Sequence, residues 1–423
     1  MGTSVIVIGA GAAGLAAAAR LREAGAEPTV IEARPRIGGR IAQEHGFASV
    51  PIELGAELIH GEGAATVALA AAAGIALAPV DRYGSLRWAA DGPACPLAEL
   101  PDARRELIAA LGATYRGLAQ DEPAPDRSLA DELRARGFDA EAVAMADVLL
   151  AQTCCASVED LSSADLAREL RADRAGPLEF RPVGGYGPLL AWLARGLRIV
   201  LGAPATMVRH GPDGVRVIAG GRTYAADACI VTVPVSLLAV ERIRFDPPLG
   251  PEKREAIAAF RTEPATKLFF RFDRPYWDAG LAYMAHTGLF SRWWTPAHHR
   301  PEVPLLCCYI TAERARVVDA LDDEALRRAA LEELATLLGE PAVRSRCTGM
   351  LRSAWGADPL ALGGYAHLPP GTAGARPALA APESPWLHFA GEATAYESNP
   401  QTVHGAIESG WRAAAACLRL RSP

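Results

Sequence analysis

Residues 4–40 read "SVIVIGAGAAGLAAAARLREAGAEPTVIEARPRIGGR", and the order of parts in this stretch decides the fold. A β-branched run at residues 5–8 feeds Gly9-x-Gly11-x-x-Gly14. An Ala/Leu/Arg helix follows, Gly25 stops it, and a second strand over 29–31 ends at Glu32. Strand, glycine turn, helix, strand and terminal acid within about 30 residues make a dinucleotide-binding βαβ unit. Gly9 permits the tight turn, Gly11 lets a pyrophosphate approach the backbone, and Gly14 allows the helix to pack closely on the strand. Glu32 is placed to accept hydrogen bonds from a ribose hydroxyl, and an acid there disfavours a 2′-phosphate.

Composition bounds the rest. The chain has 423 residues, 50% hydrophobic and 22% charged, with net charge −6. That length supports a full core in two or three domains, and the net charge gives no support for general nucleic-acid binding. Eight cysteines include two adjacent pairs, Cys154-Cys155 and Cys307-Cys308, and no C-x-x-C. Such spacing fits neither a zinc site nor a disulfide framework, so no metal is expected and the thiols read as reduced and buried, in a cytoplasmic protein. The uncharged run at 63–80 is mostly alanine and is split by Gly74. A short helix followed by the strand "IALAPV" fits it better than a membrane span. No basic segment precedes the first apolar strand, so no signal peptide is expected. H-E-x-x-H, Walker and nucleophile-elbow motifs are absent. A homo-oligomer is compatible with all of this.

After Glu32 come Arg34, Arg36 and then Gly38-Gly39-Arg40, which suits a second contact to the pyrophosphate of an extended dinucleotide. This pattern resembles the FAD-binding start of the flavin amine oxidases, the superfamily of monoamine oxidases, polyamine oxidases and lysine-specific histone demethylases. The resemblance runs almost end to end and is strongest to the polyamine oxidase-like branch. "PIELGAELIHG" (51–61) is similar to the segment that passes beside the flavin. It carries Gly55, Ala56 and Glu57, and it implies that His60 lines the substrate cavity; a loop histidine with a backbone partner is the other reading. "RPVGGYGPLLAWLARGL" (181–197) resembles the glycine turn and helix by which the chain returns to the FAD domain. In "ATMVRHGPDGVRVIAGGRTYAADACIVTVP" (205–234), two β-runs flank an Asp213-Gly214 hairpin signal, and Val208 matches the position whose backbone meets the adenine.

"RTEPATKLFFRFDRPYW" (261–277) contains Lys267, which strand alternation places on one face with Phe269 and Arg271. Alone, such a lysine reads as a solvated edge residue. The resemblance implies instead a lysine linked through water to flavin N5. "SAWGADPLALGGYAHLPPG" (353–371) resembles the W-G-x-D-P…G-x-Y stretch of the family, so Tyr365 matches the first aromatic of the cage that holds the amine. Gly364 stands where monoamine oxidases carry the cysteine bonded to the flavin, which implies non-covalent FAD. "LHFAGEATAYE" and "TVHGAIESGWRAA" resemble the closing FAD segment, with Gly391, Glu392, Thr402 and Val403. Asn399-Pro400 reads as an N-cap with Pro at the first helical position, which would aim the N–H groups of Gln401, Thr402 and Val403 at the flavin pyrimidine. Thr402 replaces the second cage tyrosine of monoamine oxidases. In "SRWWTPAHHRPEVPLLCCYI" (291–310), Trp293, Trp294 and His298 are candidates to line the cavity.

The implied architecture is α/β with an α+β substrate domain. A Rossmann-like FAD domain of the glutathione-reductase type would span 1–79, 182–256 and 358–423. A discontinuous substrate domain would span 80–181 and 257–357, with a helical lobe near 82–180. The implied activity is FAD-dependent oxidation of a primary or secondary amine, polyamine or monoamine, to an imine with oxygen as acceptor and hydrogen peroxide as product. Lys267, Tyr365, Thr402 and His60 would carry it. An L-amino acid oxidase on the same scaffold would need an arginine for the substrate carboxylate, and Arg292 and Arg316 are available. A flavin-binding module without turnover is the remaining alternative.

Overall fold

A computed structural model describes residues 3–90, 92–120, 125–296 and 300–419. Its first element is the strand Ser4–Ile8, followed by the helix Ala12–Glu23 and the strand Glu27–Ile31. The two strands pair in parallel with Ile8 opposite Ile31. They sit within a five-stranded parallel sheet in the order Arg198–Val200, Glu27–Ile31, Ser4–Ile8, Ala228–Val231, Leu387–Phe389. A parallel sheet is covered on both faces, which is why the first strand is apolar throughout rather than alternating. Val5 and Val7 pack with Leu15 and Leu21 of the first helix and Ile407 of the helix Val403–Leu418. Ile6 and Ile8 pack on the other side against Val208, Val215 and Val217, from a four-stranded sheet over residues 205–246. The hairpin expected at Asp213-Gly214 joins the strands Ala205–Gly211 and Gly214–Ala219.

The second large sheet has seven strands, in the order Cys347–Ala354, Ala265–Phe272, Leu305–Thr311, Arg292–Trp294, Tyr283–Ala285, Leu86–Trp88, Cys95–Pro96. Along Ala265–Phe272, Leu268, Phe270 and Phe272 face a core shared with the helix Asp323–Leu338. Phe269 faces the opposite core with the helices of residues 102–172, and Lys267 and Arg271 share its side by alternation. The region near 82–180 supplies the expected helices Asp102–Gly117, Leu129–Ala135, Ala140–Leu149 and Ser163–Ala172. It departs from a purely helical lobe by adding two short strands at one end of the seven-stranded sheet. Runs of three and two residues are too short to show a period of two in sequence.

The helix Ala65–Ala72 ends before Gly74 (φ +70°), and the strand Leu77–Val80 follows. No helix among the described residues is long and apolar enough to cross a membrane. All eight cysteines are free, and only Cys95 is not fully buried.

Candidate active site

A cavity of about 630 Å³ runs from the first glycine turn, beneath the edge of the parallel sheet, to the face of the seven-stranded sheet. Gly9, Gly11, Gly39, Gly55, Ala56 and Gly391 supply backbone walls. Gly14 lies behind the turn, where an added Cβ would fall 1.9 Å from the carbonyl oxygen of Gly9. Only glycine lets the helix start that close to the strand.

Glu32 is buried on the cavity wall, and its two oxygens accept from the N–H of Ala10 (2.7 Å) and of Arg34 (2.8 Å). Those bonds fix the carboxylate at the end of the second strand and leave it lone pairs for a ribose. Arg34 lines the same end and pairs with Asp358 through both terminal nitrogens, at 2.9 and 2.7 Å. Arg36 turns away and donates to the carbonyls of Ile37, Gly39 and Ile41, holding the second glycine loop. Arg40 donates to Gly364 O and Glu392 Oε1. Glu392 Oε2 is buried with no partner in the protein. A carboxylate oxygen so placed is costly unless a ligand donor meets it. This orphan, the fixed Glu32 carboxylate and the glycine backbone suit an extended dinucleotide.

Val208 does not reach the cavity; it is buried in the core between the two sheets of that domain. The chain touches the cavity three residues earlier, at Pro204, Ala205 and Thr206. The expected helix start also shifts. The N-cap is Thr402, not Asn399, and its hydroxyl accepts from Gly405 N (3.0 Å) and donates to Asn399 O (2.8 Å). Helix Val403–Leu418 therefore begins three residues later, because Gln401 takes a left-handed backbone (φ +65°) that no helix tolerates. Thr402 and Val403 still line the cavity at the positive end of that helix.

Lys267 is 4% exposed and lines the cavity, so it is no edge residue. Its ammonium donates to Glu57 Oε2 (2.7 Å) and to Glu53 O (3.1 Å). Glu57 also accepts from Arg181 Nε (2.8 Å) and Trp294 Nε1 (3.1 Å). Burial by itself would raise the Glu57 carboxyl, but Lys267 and Arg181 outweigh it and hold it below the usual carboxylate range. Neighbouring Glu53 is pushed up to about 7, chiefly by burial. Its Oε1 accepts from Tyr186 N (2.6 Å) and Gln43 Nε2 (2.9 Å), while Oε2 has no partner.

Four aromatic side chains line the cavity beside this cluster: Trp294, Tyr309, Tyr365 and Trp355, whose Nε1 donates to Leu54 O (2.9 Å). Tyr309 lies opposite Lys267 in the strand ladder. Its hydroxyl is 2.5 Å from that of Tyr365, and its ring centroid is 5.8 Å from that of Trp294. Tyr309 was not foreseen; alternation along "LLCCYIT" would have placed it with Cys307 on the face opposite Cys308. Trp294 joins the cavity and Trp293 the opposite core, by the same alternation. His60 lines the cavity, with Nδ1 2.8 Å from Glu179 Oε1 rather than a backbone partner. Arg292 lines it too, whereas Arg316 is paired with Glu263 and Glu313 outside. His298 lies outside the described residues. No cluster of three or more metal-binding side chains occurs among the described residues.

A profile of the flavin-containing amine oxidoreductases matches residues 12–418. The chain is 29% identical to polyamine oxidase 4 of Oryza sativa subsp. japonica, over 98% of this chain and 88% of that protein. It is equally 29% identical to a lysine-specific histone demethylase 1 homolog of Arabidopsis thaliana, over 99% of this chain and 58% of the relative. In fold it is similar to putrescine oxidase bound to putrescine, with a TM-score of 0.88 at 22% identity, covering 99% of both chains. Cyclohexylamine oxidase from Brevibacterium oxydans superposes with a TM-score of 0.86, also at 22% identity, covering 100% of both. The dinucleotide that this cavity takes is FAD. With a glycine-walled dinucleotide half, an aromatic half and a profile match over nearly its whole length, the chain belongs to the flavin-containing amine oxidoreductase family.

Proposed function

We propose that this protein oxidises a primary or secondary amine to an imine, with dioxygen as acceptor and hydrogen peroxide as product. The amine loses two electrons and two protons from its adjacent C–H and N–H bonds, and dioxygen takes up both pairs. FAD, when bound, would supply the two-electron redox chemistry between amine and acceptor. Glu32, Arg40 and Glu392 would hold it, with the backbone of the two glycine loops.

The observation that carries this reading is the pairing of Lys267 with Glu57 on the same wall as Trp294, Tyr309 and Tyr365. The aromatic faces exclude water and offer π-surface to the nitrogen substituents. Lys267 keeps a fixed donor where negative charge develops during oxygen reduction, and such preorganised donors lower barriers most in a dry site. His60 and Thr402 line the approach and act by position.

FAD in this reading is held without a covalent link. A Cβ at Gly364 would fall 2.7 Å from Ala265 Cβ and 2.8 Å from Cys155 Sγ. The Cys155 thiol itself is off the cavity wall and is pushed up to about 12 by burial, which leaves it a poor nucleophile.

One preparation tests the proposal. The purified protein is expected to be yellow, to release its flavin on acid precipitation, and to form one peroxide per oxygen consumed with an amine. A colourless protein, or flavin that stays with the precipitate, overturns the cofactor assignment. Flavin that no amine reduces anaerobically favours a binding module instead.

A further inference from the structure

We propose that Asp358 fastens a strap of chain over the bound dinucleotide, so that FAD leaves only after the Arg34–Asp358 pair opens; the proposal rests on FAD held without a covalent link, not on which amine is oxidised. Residues 355–365 join the strand Cys347–Ala354 to the short strand Ala366–His367 through turns and bends alone. This strap leaves the aromatic half of the cavity at Trp355, reaches the ribose end at residues 358–360, and returns at Gly364 and Tyr365. Trp355, Pro359, Leu360, Gly364 and Tyr365 line the cavity, whereas Asp358 stands behind them.

A segment with no helix or strand of its own opens locally at little cost unless specific ties hold it. Trp355 Nε1 donates to Leu54 O (2.9 Å), Ser236 Oγ to Ala361 O (2.6 Å) and Arg40 Nη1 to Gly364 O (2.5 Å). At the ribose end the tie is ionic: Arg34 Nη1 and Nη2 donate to Asp358 Oδ2 (2.9 Å) and Oδ1 (2.7 Å). Such a fork fixes the direction as well as the distance of its partner. Arg34 is anchored in turn, because its N–H donates to Glu32 Oε1 (2.8 Å), on the acid placed for the ribose. One ion pair therefore connects the ribose acid to the strap.

The carboxylate does a second job. Asp358 Oδ1 also accepts from Leu360 N (2.8 Å), which holds the turn that puts Pro359 and Leu360 on the wall. The pair is partly open to solvent, with side chains 13% and 21% exposed, against 6% and 6% for Lys267 and Glu57. Salt therefore screens the Arg34–Asp358 tie far more than the buried pair at the other end. A dinucleotide lying along the cavity is covered by the strap at both ends, and its rate of leaving follows how often the strap lifts.

Asp358→Asn separates the two jobs. Its amide oxygen can still accept from Leu360 N, so the turn is kept, whereas its amide nitrogen, a donor, faces Arg34 Nη1. FAD release from the loaded full chain is followed by the rise of free-flavin fluorescence, over a series of sodium chloride concentrations. At low salt the variant is expected to release FAD about tenfold faster, for the loss of two charge-assisted hydrogen bonds. Wild-type release should quicken with salt toward the rate of the variant, which salt should change little. The gap in melting temperature between apo and FAD-loaded protein should narrow in the variant, since a ligand bound more weakly stabilises less. Equal release from the two proteins at low salt overturns the proposal, and so does a variant whose release rises with salt as steeply as that of the wild type. Apo and loaded melting lowered by the same amount, with release unchanged, overturns it too and assigns the pair to the fold alone. Flavin that stays on the acid-denatured chain is covalent and overturns the non-covalent reading together with this one; flavin freed by acid but lost at equal rates from both native proteins overturns this one only. Should the variant fail to fold, the wild type decides: release that salt leaves unchanged overturns the fastener, and release that rises in step with hydrogen exchange over 355–365 supports it.

Discussion

Glu57 holds a charge that its burial opposes, and it does so because Lys267 and Arg181 approach it from two different strands. Each cation is in turn fixed by that carboxylate, so the Lys267 ammonium has one position on the cavity wall rather than a range of rotamers. That fixity gives the lysine its proposed role toward oxygen, and it makes Lys267→Met informative. Glu57 keeps Arg181 and Trp294, so the variant is expected to fold and to retain flavin, at a cost of about 1–3 kcal/mol for the lost charged hydrogen bond. Anaerobic reduction by substrate should change little, whereas reoxidation by oxygen should slow by about 10²-fold. Stopped-flow absorbance separates the two half-reactions. Equal slowing of both would assign Lys267 to substrate positioning, and unchanged reoxidation would remove its role with oxygen.

Two helices aim their N-termini at the cavity, Ala12–Glu23 and Val403–Leu418, and they reach it side by side because glycine allows close contact between them. A Cβ at Gly410 would fall 2.2 Å from the carbonyl oxygen of Ala13 and 3.2 Å from Ala17 N. Backbone cannot yield as a flexible side chain does, so Gly410→Ala should push the helices apart at a cost of about 1–3 kcal/mol. It should also weaken FAD binding, measured by flavin fluorescence on dilution, although residue 410 lies on no cavity wall. Unaltered FAD affinity with unaltered melting would show that the helices reseat freely. The same elements show what a sequence does and does not disclose. The βαβ unit was legible because each part is local: strand, turn, helix and acid follow within one short stretch. Lys267, Tyr365 and Thr402 were reachable through motifs that keep their spacing. The helix start failed because Pro400 argues for a first helical position, while the left-handed Gln401 answers to packing, with its side chain donating to Cys154 O and Ala366 O. Tyr309 and Glu53 stayed hidden for a different reason: each matters only through partners brought from distant segments by the fold.

Across the whole molecule, stability responds to pH through buried groups that pull in opposite directions. His367 and His404 are lowered by burial to about 4, so between pH 4 and 6.5 the unfolded chain binds more protons at both sites. Stability contributed there rises with pH. Glu179 is held down at about 2: burial opposes its charge, and Arg82 and His60 outweigh that. Its contribution is complete above about pH 4.5 and is lost as pH falls toward 2. Glu53 runs the other way. Its folded value is raised by burial to about 7 from a starting value of 4.5, so between those limits the folded protein binds the extra proton. Stability from Glu53 is full below pH 4.5 and is lost as pH rises to 7, by on the order of 3 kcal/mol. Glu53→Gln removes this term without removing its contacts. The amide oxygen can accept from Tyr186 N and Gln43 as Oε1 does, and the amide nitrogen takes the place of Oε2, where the protonated acid carries its O–H. In urea titrations of the two FAD-saturated proteins from pH 4 to 8, the histidines and Glu179 cancel in the difference between the curves. The variant is therefore expected to gain on the wild type steadily from pH 4.5 to 7 and to hold that gain above it. Parallel curves would mean that Glu53 is ionised throughout this range, with Lys267 strong enough to offset its burial.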